Sequence, residues 1–217
     1  MKDLFLLDPS VVFLNHGSFG ACPRPVFEAY QAFQRELERQ PVEFMARERR
    51  FPALIEHARA RLAAYVGSDP DSLVFTTNTS AALNAVIRSL DLRAGDEVLI
   101  GDAEYGGMER LWEFMTRRTG AVLVRRPFSE LDPSARTRVV FCSHIEWISG
   151  RVNDIASLCT RARSTGALSI VDGAHAPGQI DLDLEAIGAD VYAATATSGF
   201  VHRKAPRFFT HAAKRRR

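Results

Sequence analysis

From residue 73 onward, short apolar runs alternate with stretches of helical periodicity, and this alternation constrains the fold more than any other feature. Strands are predicted at 73–75, 97–100, 121–124, 138–141 and 167–171, and a further strand begins at 190. Helices are predicted between them, over 81–90, 108–119 and 153–163. Repeated strand, loop and helix predict a parallel or mostly parallel sheet covered by helices, which is an α/β fold.

Two amphipathic helices precede the alternating region. The first follows Pro23 and Pro25 and closes at Pro41, with apolar residues at three- and four-residue steps: Val26, Phe27, Tyr30, Phe33 and Leu37. The second runs from about 52 to 66 and ends at Gly67. We therefore divide the chain into an N-terminal segment and helix, residues 1–50, and a larger domain, residues 51–193.

Residues 194–217 differ in charge from the rest of the chain. They contain seven Lys or Arg and no Asp or Glu, which leaves 21 basic and 26 acidic residues, a net charge of −5, in residues 1–193. The segment is predicted to be a disordered basic tail. Nucleic-acid binding through Lys214 to Arg217 is the alternative, but four basic residues at a terminus are usually solvated, so nucleic acid is not the expected partner.

Several classes of protein are disfavoured by composition. The start of the chain lacks a long apolar region, so no signal peptide is expected, and no run approaches the roughly 20 apolar residues of a membrane span. Cys22, Cys142 and Cys159 have no CxxC spacing, which argues against a disulfide framework and favours a cytoplasmic location. His16 and His144 lack partners at metal-ligand spacing, so no metal site is predicted.

Polar residues directly follow four of the predicted strands, in 76–80, 105, 143–144 and 172–175. Because the carboxyl ends of parallel strands share one edge of a sheet, these loops are expected to line one cleft. Thr79 and Ser80 open a helix, where hydroxyls and free N–H groups favour a phosphate; simple N-capping by either residue is the alternative. Glycine motifs of nucleoside triphosphate and dinucleotide sites are absent.

The remaining residue types in these loops match pyridoxal phosphate (PLP). Asp172 can accept a hydrogen bond from a protonated ring nitrogen and keep the ring cationic, as PLP requires to act as an electron sink. Tyr105 offers a flat ring for stacking, and His175 can reach the ring hydroxyl or a substrate carboxylate. The alternatives are a plain strand-to-helix corner at Asp172, a partly exposed loop aromatic, and a turn histidine that bonds to the backbone.

Several motifs, in the same order along the chain, resemble the class V aminotransferase family, and the nearest branch is the isopenicillin N epimerase-like proteins. They are Leu14–Gly20, Thr77–Asn84, Glu104–Gly106, Ser143–His144 with Ser149–Gly150, and Val171–Gly178. The resemblance covers residues 11 to about 193. It implies a three-layer α/β/α large domain of PLP-dependent fold type I, incomplete at the C-terminus, with PLP as cofactor, a small amino-acid-like substrate and a homodimer.

The resemblance also implies roles for individual residues. Thr79 and Ser80 would hold the phosphate, although the family commonly has Ala-Thr there. Tyr105 would stack on the ring, Asp172 would pair with the pyridine nitrogen, and His175 would contact a cofactor oxygen. Three further residues would lie near the substrate: Asn15, His16 and Ser18.

After Ala193 the resemblance stops. The family continues Gly-Asn-Cys-His-Lys-Trp, whose lysine forms the Schiff base, whereas residues 194–199 read Ala-Thr-Ala-Thr-Ser-Gly. Deleting the first base of GGC AAC TGC CAC AAG TGG yields codons for those six residues, which suggests a single-base deletion near codon 194. No catalytic residue is assigned because the Schiff-base lysine is absent, and Lys204 is not expected to replace it.

The expected function follows from this combination of motifs and missing lysine. By lineage the chain is a PLP-dependent, epimerase- or aminotransferase-like enzyme acting on an amino acid or related amine, but this chain is expected to be inactive. Two alternatives remain open: a cysteine desulfurase- or lyase-like enzyme, and a non-catalytic fragment that binds PLP.

Overall fold

The computed structural model describes residues 2–14, 20–195 and 208–212, the last group by its backbone. The strands are β1 Leu73–Thr76, β2 Glu97–Gly101, β3 Val122–Arg126, β4 Thr137–Ser143, β5 Leu168–Asp172, β6 Val191–Thr195 and β7 Phe208–Ala212. The α-helices are α1 Arg24–Arg39, α2 Pro41–Met45, α3 Arg50–Val66, α4 Thr79–Arg88, α5 Gly106–Thr119, α6 Ile155–Thr165 and α7 Leu184–Ile187. The predicted order of elements between residues 73 and 195 is confirmed.

The strands form one sheet in the order β1-β7-β6-β5-β4-β2-β3. Strand β7 is antiparallel to both of its neighbours, β1 and β6, and the other pairings are parallel. The carboxyl ends of β1 to β6 therefore lie at the same edge, as predicted, and this edge is where α/β folds bind ligands.

Two apolar clusters cover the two faces of the sheet. Neighbouring strand residues point to opposite faces, so Val98 and Ile170 pack with α4 and α5, whereas Leu99 and Val171 pack with α3, α6 and α7. Both faces are buried, which explains why these strands are almost continuously apolar. The arrangement is the predicted three-layer α/β/α fold.

Helix α1 forms where the sequence predicts it, but none of its residues is fully buried. Its apolar stripe is only partly covered, and Phe33 is exposed. Helix α3 differs, because Ala63 and Val66 at its end are completely buried in the core beside the sheet. The proposed division at residue 50 stays a prediction.

The predicted disorder of the basic tail is wrong for residues 208–212. These residues form β7, which pairs with β6 from Val191 to Thr195 and with β1 from Leu73 to Thr76. The composition of this segment favoured a solvated tail. In the structure, however, it lies between β1 and β6, which provide backbone hydrogen-bond partners on both of its sides. The charged stretch from Lys214 to Arg217 lies outside the described residues, as does Lys204.

A search of the described residues for membrane spans finds no helix with the length and apolar character required.

Candidate functional site

The carboxyl ends of β4, β5 and β6 lie side by side, and β5 ends on a carboxylate. Asp172 is in register with Ser143 of β4 and Ala193 of β6. It is 6% exposed, and its Oδ1 accepts a hydrogen bond from the backbone N–H of Ala174 at 3.0 Å. Burial raises the pKa of Asp172 to about 6. A cationic partner would therefore be strongly favoured at this carboxylate.

A buried tyrosine lies against the turn that follows Asp172. Tyr192 of β6 is fully buried, and its hydroxyl lies 2.8 Å from Nδ1 of His144. A Cβ at position 173 would lie 2.2 Å from Cε1 of Tyr192, so only Gly173 permits this approach. Burial lowers the pKa of His144 to about 4 and raises that of Tyr192 well above its usual value, so both groups are neutral at pH 7.

A second carboxylate reaches the same edge from the loop after β2. Glu104 is 7% exposed; its Oε1 accepts from the backbone N–H of Ser143 at 3.0 Å, and its Oε2 accepts from the Ser143 hydroxyl at 2.6 Å. Burial raises the pKa of Glu104 to about 7, and the charge of Asp172 acts in the same direction. Two buried carboxyl groups therefore share this edge of the sheet.

Two half-exposed aromatic rings stand at the mouth of the site. Tyr105 and Trp147 are 49% and 50% exposed, and their rings meet edge to face with 6.2 Å between centroids. The indole N–H of Trp147 donates to the backbone carbonyl of Glu104 at 3.2 Å. This pair offers open aromatic surface beside the buried carboxyl groups, as stacking on a planar ligand requires.

The residue that caps the N-terminus of α4 is not one of the two that the sequence suggested. The cap is Asn78, whose side chain accepts from the N–H of Ala81 at 2.6 Å, so capping by Thr79 or Ser80 is wrong. The hydroxyl of Thr79 is buried and has no hydrogen-bond partner within the described ranges. A buried hydroxyl without a partner at a helix N-terminus is a suitable donor for a phosphate oxygen.

The other predicted site residues have more limited structural support. His175 follows Asp172 in the same turn and is partly buried, which lowers its pKa. Asn15, His16 and Ser18 lie outside the described residues, so their proximity to a substrate stays a prediction. Across residues 2–14, 20–195 and 208–212, no group of three or more His, Cys, Asp or Glu is placed to hold a metal ion.

The structure brings Tyr105 and Asp172 to one edge, and α4, which begins at Thr79, packs against both α5 and β6. These residues fit a cofactor with a phosphate, a flat ring and a cationic nitrogen. Four residues that position them were not assigned from the sequence: Asn78, Glu104, Trp147 and Tyr192. The contacts of Glu104, Trp147 and Tyr192 join residues 39 to 48 positions apart, which no local pattern reveals.

Comparison with known families finds a match over most of the chain. The model of the family described as aminotransferase class-V matches residues 12–197, which extends past Ala193, where the sequence resemblance was expected to end. The isopenicillin N epimerase of Streptomyces clavuligerus is 43% identical over 201 residues, covering 87% of this chain and 50% of that protein. A probable cysteine desulfurase of Methanothermobacter thermautotrophicus is 30% identical over 192 residues, covering 82% of this chain and 47% of that protein.

Among solved structures, a lysine-to-alanine variant of C-DES with glycine covalently linked to its PLP cofactor has a TM-score of 0.83 at 25% identity. It matches 93% of this chain and 56% of its own. This chain therefore spans about half the length of the relatives it matches. The fold prediction is confirmed, and the comparisons indicate PLP as the cofactor.

Proposed function

Because this chain belongs to the class V aminotransferase family, we propose that it is the cofactor-binding part of a PLP-dependent enzyme acting on an amino acid or related amine. We further propose that the chain, as its sequence stands, binds PLP reversibly and does not catalyse a reaction. The buried carboxyl group of Asp172 at the end of β5 is the observation that carries the proposal, because it matches the one cationic group of the cofactor ring.

Each part of the site has a function in this proposal. Asp172 would hold the ring nitrogen in its protonated form, and the hydroxyls of Thr79 and Ser80 would donate to the phosphate. Tyr105 would cover one face of the ring, and His175 would contact a ring oxygen or the substrate carboxylate. When bound, PLP supplies an electron sink for the α-carbon of an amino acid.

The sequence supports the absence of catalysis. It contains three lysines, Lys2, Lys204 and Lys214, so residues 3–203 have no amine side chain to hold the cofactor covalently or to move a proton at the substrate. The C-DES variant, whose PLP is linked to glycine, supports binding of the cofactor by the fold without a bond to the protein. We attribute the missing lysine to the single-base deletion proposed near codon 194. Nucleotide sequencing tests it, because restoring one base should reopen a long reading frame through His-Lys-Trp.

An epimerase-like lineage is favoured over a desulfurase-like one by sequence identity and by the burial of two of the three cysteines. A desulfurase needs an accessible thiolate. Cys142 and Cys159 are both about 1% exposed, and burial raises the pKa of each, to about 11 for Cys159. Neither can serve as a mobile nucleophile, whereas Cys22 is only partly buried. Desulfurase chemistry therefore remains the second candidate, supported by the relatives that carry this name.

Titration with PLP followed by borohydride reduction tests the proposal. We expect saturable binding that dialysis reverses, and no lysine-linked cofactor after reduction. With three lysines in the chain, mass spectrometry can assign any adduct to a single position. Saturable attachment of the reduced cofactor to a lysine would overturn the proposal that the chain is inactive. A lack of saturable binding would overturn the proposal that PLP is its cofactor.

A further inference from the structure

The carboxyl group of Glu104 is held in a defined position, although the residue lies in a loop. Both of its oxygens are occupied by Ser143, one by the backbone N–H and one by the hydroxyl. A Cβ at position 101 would lie 2.2 Å from Oε1 of Glu104, so β2 ends on glycine where this carboxyl group must fit. The loop therefore folds back over the end of its own strand to place a carboxyl group on β4.

The backbone of Glu104 holds the aromatic pair. Its carbonyl accepts the indole N–H of Trp147, and its chain neighbour is Tyr105, whose ring packs edge to face on that indole. Ser143 is in turn the register partner of Asp172. Glu104 thus contacts the strand end beside Asp172 through its side chain. Through its backbone it is also connected to both aromatic rings.

We propose that Glu104 is a positioning residue that fixes the Tyr105–Trp147 pair relative to Asp172, so that a planar cofactor is held between ring and carboxylate. This inference rests on the proposed function for the identity of the ligand, but the positioning of the rings can be measured without it. A ligand that contacts two separate loops binds well only if their spacing is established before it arrives.

Three variants test the role. Glu104→Ala removes both contacts to Ser143, whereas Glu104→Gln keeps the shape and can accept from the N–H while donating to the hydroxyl. Glu97→Ala is the matched control, because Glu97 joins β2 to β4 at the opposite edge by accepting from the hydroxyl of Thr137 at 2.5 Å. PLP affinity should fall about tenfold in Glu104→Ala and stay near wild type in the other two.

Trp147 provides the readout that needs no cofactor. Its emission, obtained by subtracting the spectrum of Trp147→Phe, should shift to longer wavelength in Glu104→Ala and stay unchanged in Glu104→Gln and Glu97→Ala. An unchanged emission in folded Glu104→Ala overturns the positioning role. If the emission shifts but the affinity for PLP stays at the wild-type value, the role of Glu104 in ligand binding is overturned.

The two proposals fail separately. If the wild-type protein binds no PLP, the proposed function fails, while the emission of Trp147 still decides the role of Glu104. If Glu104→Ala does not fold, Ser143→Ala replaces it, because it removes one of the two contacts and leaves the carboxyl group in place. Ser143→Ala should then show the emission shift and a smaller loss of affinity, and wild-type behaviour in both would overturn the inference.

Discussion

Replacing Glu104 with glutamine should make the protein more stable at alkaline pH and should not do so at acidic pH. The folded protein raises the pKa of this carboxyl group from 4.5 to about 7, mainly through burial. A raised pKa means that the contribution of the group to stability is fully present below pH 4.5 and is lost as the pH rises through 7. Glutamine has the same shape and does not ionise, so it avoids this loss.

The size of the effect follows from the two pKa values. The full shift corresponds to about 3 kcal/mol, of which about 2.5 kcal/mol develops between pH 5 and pH 8.5. Exchanging the neutral carboxyl group for an amide in the contacts with Ser143 costs about 1 kcal/mol, and this cost does not depend on pH. Glu104→Gln should therefore be slightly less stable than wild type at pH 5 and more stable by about 2 kcal/mol at pH 8.5.

Urea unfolding of both proteins between pH 5 and pH 8.5 measures this difference. Asp172 also contributes less stability as the pH rises, because its pKa is raised to about 6, but it is present in both proteins, so the difference between them reports Glu104 together with its charge coupling to Asp172. Glu38→Gln, on an exposed face of α1, controls for the loss of one negative charge. If the difference in unfolding free energy between wild type and Glu104→Gln does not change with pH, the buried carboxyl group does not have the environment described.

Three other results are expected. Gly173→Ala should lose about 3 kcal/mol of unfolding free energy, because its Cβ would lie 2.2 to 2.5 Å from the ring edge and hydroxyl of Tyr192; an unchanged urea midpoint would contradict this packing. Thr79→Ala should leave stability within about 0.5 kcal/mol and weaken PLP binding, whereas Asn78→Ala should cost about 1 kcal/mol of stability through the lost cap; equal stability losses in the two variants would be inconsistent with the assigned cap. PLP binding measured by equilibrium dialysis should weaken below about pH 6, where Asp172 becomes protonated, and a pH-independent affinity would argue against its pairing with the ring nitrogen.

The sheet could be predicted from the sequence because its central strands are buried on both faces. Strands such as β2 and β5 are short apolar runs bounded by turn residues, and the helices between them have clear apolar periodicity. Strand β7 could not be predicted in this way. It is stabilised by pairing with two strands distant in sequence, and the charge of the surrounding segment suggested a solvated tail instead.

The site could be predicted as a set of loops but not as a set of contacts. A parallel sheet brings strand ends to one edge, so Asp172 and Tyr105 could be assigned to one cleft without coordinates. The hydrogen bonds of Glu104 to Ser143 and of Tyr192 to His144 could not, because they depend on how β2, β4 and β6 are ordered. The glycines at positions 101 and 173 were the available signal, since each stands where a neighbouring side chain needs the space.

Binding of PLP by the wild-type protein and by Asp172→Ala, followed by borohydride reduction, tests the central claim most directly. We predict saturable, reversible binding to the wild-type protein, binding weakened at least about tenfold in Asp172→Ala, and no cofactor attached to Lys2, Lys204 or Lys214 after reduction. Equal affinities in the two proteins, or a reduced cofactor on one of those lysines at saturation, would contradict the account.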